Sequence, residues 1–104
     1  MKTIAFKMKL RPGSVDEYKR RHAAIWPELV EVLKENGISD YTIFLDAETD
    51  TLFAVQKQNG SQTSQDLGEH PLVKKWWDYM SDLMIYEYNK SPVAIFLEPV
   101  FHMD

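Results

Sequence analysis

The chain contains no cysteine, which excludes disulfides, thiolate catalysis and cysteine-ligated metal sites. It also lacks any apolar run long enough to cross a bilayer. Its start, Met1-Lys2-Thr3-Ile4, is too short and too alternating for a signal peptide, so a soluble, cytoplasmic protein with no membrane partner is the expectation. Basic charge is in deficit: 12 Lys and Arg face 16 Asp and Glu, for a net charge of −4. That balance gives no electrostatic footprint for nucleic acid. His22, His70 and His102 lack the short spacing of a metal site, and the carboxylates near them are not patterned as ligands, so no metal is expected. There is no Gly-rich phosphate loop and no Gly-x-Ser-x-Gly elbow, and nothing calls for a cofactor. Repeats, low-complexity tracts and linkers are absent as well.

What remains is 104 residues with a hydrophobic fraction of 44%, enough for one core and hence one domain over residues 1–104. Ile4, Phe6, Met8 and Leu10 alternate with Ala5, Lys7 and Lys9, which predicts a half-buried strand ended by Pro12-Gly13. From Val15 an apolar stripe of Val15, Tyr18, His22, Ile25, Leu29 and Leu33 follows the helical period. Ser14 and Glu17 have the spacing of a capping box, and Asn36-Gly37 is a C-terminal stop. Pro27 falls inside this stripe, where it removes a backbone hydrogen bond and costs about 3 kcal/mol in a helix interior. A kink or broken turn is therefore expected near Trp26. Tyr41 to Asp46 and Leu52 to Gln56 read as a hairpin. Leu72 or Val73, with Trp76, Trp77, Met80, Leu83 and Met84, then marks a second amphipathic helix, with Pro71 in its first turn. Ser91-Pro92 breaks the chain before a last strand, Val93 to His102, in which Pro99 demands an edge or a bulge.

The order β-α-β-β-α-β is the split βαβ of ferredoxin-like α+β folds. It places both helices on one face of an antiparallel sheet and leaves the other face needing cover. Two sheets packed face to face, as in a dimeric α/β barrel, supply that cover, so a homodimer is expected. A pocket can then lie between sheet and helices or between the two sheets; Tyr18 and His22 favour the helix–sheet side.

Tyr18 and His22, four residues apart, are stacked neighbours on the inward face of their helix. A phenol beside an imidazole can bind a hydroxylated ligand and move protons near neutral pH; both residues also fit as packed core groups bonded to backbone or water. Arg20 and Arg21 lie off the stripe and are expected in solvent. Trp76 and Trp77 point about 100° apart, so one suits the core and the other a cavity or the surface. Indole faces pack against the C–H face of a sugar, and the indole N–H can donate to a hydroxyl. Tyr41 opens its strand beside a polar corner, where its hydroxyl can reach a pocket rim or its ring can simply pack.

These residues carry a resemblance. Glu17-Tyr18-Lys19-Arg20-Arg21-His22 followed by Ile25-Trp26-Pro27-Glu28-Leu29 resembles the L-rhamnose mutarotases. So do Asn36-Gly37 before Tyr41-Thr42-Ile43-Phe44-Leu45-Asp46, Leu52-Phe53-Ala54, and Trp76-Trp77-Asp78-Tyr79-Met80. The resemblance spans nearly the whole chain. It implies a cofactor-free dimer that interconverts the anomers of L-rhamnopyranose or a related deoxy sugar, with His22 as proton donor and Tyr18, Tyr41, Trp76 and Trp77 against the sugar. Mutarotation needs a proton on the ring oxygen as the C1–O5 bond opens, and removal of the proton on the anomeric hydroxyl. His22 suits the first task, and Tyr41, a backbone carbonyl or water suits the second. The chain departs from the family pattern at Ile85–Lys90, at Lys57, where an acidic residue is common, and at Pro99. Two rivals stand beside this reading: a haem-binding monooxygenase of the dimeric barrel type, and a non-catalytic sugar-binding module.

Overall fold

A computed structural model describes residues 2–86 and 92–104. Strand β1 (Lys2–Lys9) leads to helix α1 (Val15–Ala23), helix α2 (Pro27–Glu35), and the hairpin β2 (Ile38–Asp46) and β3 (Thr51–Gln58). A single 3-10 turn (Ser64–Asp66) precedes helix α3 (Pro71–Met80), a second one (Ser81–Leu83) follows it, and β4 is Ile95–Phe96. The sheet order is β2-β3-β1-β4. Antiparallel β3 lies between β1 and β2, so the β1–helix–β2 crossover is split by an inserted strand. This is the architecture expected from the order of elements.

The break at Pro27 is complete. The residue before a proline is pushed to extended backbone, and Trp26 has φ −64° and ψ 125°. Pro27 then starts α2, where its missing N–H costs nothing, and the Trp26 carbonyl accepts from the N–H groups of Leu29 and Val30. The same device starts α3: His70 is extended before Pro71, and its Nδ1 accepts from the Leu72 N–H at 3.1 Å. His70 is thus a helix cap. After α2, Gly37 turns the chain at φ +83°, where an added Cβ would lie 3.1 Å from the Asn59 carbonyl oxygen; glycine alone accepts that conformation without strain.

Three expectations need correction. The Ser14–Glu17 capping box does not form: Ser14 makes no side-chain cap, its N–H donates to the Arg11 carbonyl, and Glu17 bonds to the guanidinium groups of Arg20 and Arg21, charge-assisted bonds being the stronger kind. The capping box that does form joins Thr63 and Asp66. Arg20 is exposed, but Arg21 is not in solvent: its side chain is 11% exposed. It bonds to Glu17, Asp82 and the Tyr79 carbonyl, and its guanidinium lies 4.5 Å from the centre of the Tyr79 ring. The last strand is only Ile95–Phe96, paired with β1 at Phe6 and Lys7. Beyond it Val100, Phe101 and Met103 are strongly exposed and form no strand. Of the segment read as divergent, residues 87–90 lie outside the described residues, as does Ser91.

The core fills the space between one sheet face and the helices. Phe6, Met8, Leu52 and Ala54 come from the sheet, Tyr18, Leu29 and Val32 from α1 and α2, and Val73, Trp76 and Met80 from α3. Side chains alternate across a strand, so Ala5, Phe53, Val55, Phe44 and Ile95 point to the opposite face; Phe44 and Ile95 are exposed.

Candidate functional site

Between helices and sheet lies a cavity of about 700 Å³, within the range of about 300–1,000 Å³ typical of small-molecule clefts. Tyr18, His22, Tyr41, Trp76 and Trp77 all line it. Each arrives by a different local rule. Helix α1 places Tyr18 and His22 one turn apart, and their rings stack at 4.2 Å and 30°. His22 also meets the edge of Trp76 at 5.4 Å and 85°. Helix α3 supplies Trp76 to the core, where it is 8% exposed, and aims Trp77 along a different direction to a half-buried place on the wall. Tyr41 sits on the inner face of β2, within the register shift between Ser39 and Thr42, and Asp40 beside it has φ +45°.

Three contributors carry no periodic signal. Ser64 and Gln65 line the cavity from a turn inside a stretch that reads only as a polar connection; the Thr63-x-x-Asp66 spacing was its one visible mark. Trp26, freed from helical geometry by Pro27, packs edge-on against Trp76 at 5.0 Å and stacks on Tyr79 at 5.7 Å. Trp76 thus meets Trp26 and Tyr79 as well as His22.

The protonation of the site follows from its contacts. His22 Nδ1 lies 3.2 Å from the Tyr18 carbonyl oxygen. A carbonyl only accepts, so Nδ1 carries the hydrogen, and in the neutral ring Nε2 is a bare acceptor. Burial lowers the His22 pKa from its ordinary 6.5, outweighing the Tyr18 carbonyl, which raises it. The ring is therefore neutral at physiological pH. Burial pushes the Tyr18 phenol far up, with Tyr41 adding to the effect, and pushes Tyr41 up against the opposing hydroxyl of Ser64. Both phenols stay protonated near neutrality, so each can donate a hydrogen bond into the cavity.

Lys57, one of the departures, pairs with Asp40 at 3.2 Å on the surface. Among the described residues no three of His, Cys, Asp and Glu are grouped so as to hold a metal ion, and no helix is long and apolar enough to cross a membrane.

Residues 3–103 match the family model described as L-rhamnose mutarotase. The chain belongs to the L-rhamnose mutarotase family. Over all 104 residues, and over the full length of each relative, it is 58% identical to the L-rhamnose mutarotase of Bacteroides thetaiotaomicron and 55% identical to that of Phocaeicola vulgatus. The crystal structure of the L-rhamnose mutarotase of Formosa agariphila matches with a TM-score of 0.93 at 51% identity, covering all of both chains. Family membership thus extends over the entire fold, including the helices and strands that build the cavity.

Proposed function

We propose that this protein is a cofactor-free, cytoplasmic L-rhamnose mutarotase that interconverts the α and β anomers of L-rhamnopyranose. The observation that carries the reading is the convergence of a neutral imidazole, two protonated phenols and two indoles on one cavity in a chain of this family. Trp76 and Trp77 offer indole surface for the C–H face of a pyranose. A 6-deoxy sugar carries a methyl group where other hexoses carry a hydroxymethyl, which suits the apolar Ile25, Leu29 and Ile43 of the cavity wall. Tyr18 and Tyr41 supply hydroxyls to orient the sugar.

His22 performs the proton transfer. Its Nε2 takes the proton of the anomeric hydroxyl while the C1–O5 bonding pair moves to the ring oxygen, leaving C1 as the aldehyde. The imidazolium then delivers the same proton to O5, so His22 acts as the proton donor to the ring oxygen. Rotation about C1–C2 presents the other aldehyde face. Closure reverses the steps: Nε2 takes the O5 proton as O5 attacks C1, and returns it to O1. No proton is gained or lost, and a well-placed group of this kind is worth about 10²–10⁴-fold.

The outer sheet face, with Phe44 59% and Ile95 54% exposed, fits a second copy of the chain, giving a homodimer. Sedimentation should show a dimer, and Phe44→Glu should shift it to monomer; a monomeric parent chain would refute this assembly. The activity is tested by proton exchange NMR between the L-rhamnose anomers. Faster exchange with the protein supports the reading. An unchanged rate with measurable sugar binding would make the protein a binding module instead.

A further inference from the structure

The large cavity adjoins a smaller recess of about 50 Å³, room for a substituent but not for a pyranose ring, since one water takes about 30 Å³ of liquid. Tyr18, His22, Tyr41, Trp76 and Trp77 line both spaces, and so do Ile43 and Gln65. Lys19, Lys34, Ser39, Asp40 and Ser64 line the large cavity without reaching the recess. Gln65 is thus the one amide side chain at the junction where His22 meets the indoles. Its place is fixed from the sheet. Gln56 on β3 is fully buried; its Oε1 accepts from the Ser64 N–H at 2.9 Å, and its Nε2 donates to Ser64 Oγ at 2.8 Å. That pins the turn to β3. Within the turn, the Gln65 N–H donates to Thr63 Oγ1 at 3.1 Å, and Gln65 Nε2 donates to Ser64 Oγ at 3.3 Å. Among the described residues, the Gln65 Oε1 takes no hydrogen bond, and one hydrogen on Nε2 is left to donate.

We propose that Gln65 is a further sugar-binding residue, one that reads a ring hydroxyl of the pyranose, with Gln56 and Ser64 holding its amide in place. A carboxamide offers a donor and an acceptor side by side, and a sugar hydroxyl both gives and takes a hydrogen. Being uncharged, the amide enters a half-buried wall without the desolvation cost that an ionised side chain carries. Apolar walls discriminate weakly between ligands that differ by one hydroxyl. A group placed to bond that hydroxyl rejects the analogue lacking it, because the group is then left unpaired. Gln65 therefore adds specificity to a junction otherwise walled by aromatic rings and Ile43.

This inference rests on the proposed mutarotase activity and is tested by exchange NMR on L-rhamnose and on its analogues lacking the hydroxyl at C2, C3 or C4. Each catalysed rate is divided by that sugar's uncatalysed rate, which removes differences in intrinsic reactivity. Gln65→Met keeps the length of the side chain and removes the amide. It should lower kcat/KM for L-rhamnose by about 3–10-fold, the effect of one lost hydrogen bond. At least one missing hydroxyl should cost the wild-type protein a similar factor and cost Gln65→Met nothing, because its partner is already gone. Gln65→Ala should single out the same hydroxyl, and it decides alone should the methionine variant not fold. A variant as active as wild type on L-rhamnose would overturn the assignment. So would a loss of equal size on L-rhamnose and on every analogue, which is what a merely structural role produces; either result leaves the mutarotase activity standing. A wild-type chain that does not accelerate exchange would remove both.

Discussion

Replacing His22 with Asn separates the chemistry of the imidazole from its structural contacts. The asparagine Nδ2 occupies nearly the place of the imidazole Nδ1, so it keeps a donor for the Tyr18 carbonyl, 3.2 Å away in the parent chain, but has nothing at the position of Nε2. Two ring contacts are lost, the stack on Tyr18 at 4.2 Å and the edge contact with Trp76 at 5.4 Å. At about 0.5–1.5 kcal/mol each, these sum to roughly 1–3 kcal/mol. A fall in Tm of roughly 4–8 °C per kcal/mol in a domain of this size leaves a folded protein at 25 °C. The catalytic loss is larger. Removing the proton-transfer group should cost about 10²–10⁴-fold, equivalent to roughly 3–5 kcal/mol of barrier. Exchange NMR with L-rhamnose at pH 7.5 gives the rate, and circular dichroism on the same samples gives the fold. A folded Asn variant that retains a rate within tenfold of wild type would refute proton transfer through Nε2, and with it the assignment of the tautomer to function.

Two further outcomes follow from the site. Because burial lowers the His22 pKa below 6.5 and the mechanism begins with a neutral ring, kcat/KM should be level near pH 7 and fall on acidification with a midpoint below 6.5. The sign is the same for stability: the fold favours the neutral ring, so His22 contributes fully above pH 6.5 and that contribution is lost as pH falls through the depressed value. An activity that rises toward pH 5 would contradict both. Gly68→Ala should act on binding, since its new Cβ would lie 2.7 Å from Cζ3 of Trp77 and force the indole to shift. KM for L-rhamnose should rise several-fold with kcat little changed, with an altered tryptophan emission spectrum; an unchanged KM would mean Trp77 does not bear on the sugar.

Much of this was legible in the sequence where a period or a proline enforces it. The alternation of Ile4, Phe6, Met8 and Leu10 is the inner face of β1, and the Val15-to-Leu33 stripe is the buried side of α1 and α2. Pro27 and Pro71 fix two helix starts because their stereochemistry acts locally. Patterns that depend on competition were not legible. The Ser14–Glu17 spacing was a valid capping signal, but Glu17 had two arginines within a turn, and ion pairing won. Val93 to His102 has the composition of a strand, yet its pairing with β1 ends with Ile95, Phe96 and one bond from the Leu97 N–H to the Ala5 carbonyl; strand propensity reports a surface that fits a neighbour, not the neighbour itself. In the site, Tyr18, His22, Tyr41, Trp76 and Trp77 stood out by residue type. Ser64 and Gln65 did not, since a turn that meets the cavity from within a polar segment leaves no periodic mark.

The proline that spoils the long helix also shapes the cavity. In an uninterrupted helix Trp26 would follow α1 at 100° per residue, one position from Ile25 on the sheet-facing stripe. Broken at Trp26, the chain lets that indole reach Trp76 and Tyr79, while Arg21 ties the end of α1 to the Tyr79 carbonyl and Asp82 at the end of α3. The last turn of α1 is thus clamped from two sides, where the helix tightens and the Arg21 and His22 carbonyls accept from the Ala24 and Ile25 N–H groups, three residues on. His22 lies on that turn. A fraying helix end would free its ring to rotate, and the bond from Nδ1 to the Tyr18 carbonyl would no longer select one tautomer. With Tyr18 stacked on one face, Trp76 at the edge and α3 locked against the turn, the imidazole keeps Nε2 as its acceptor. The local cost of the proline is therefore coupled to the rigidity that proton transfer at a single nitrogen requires.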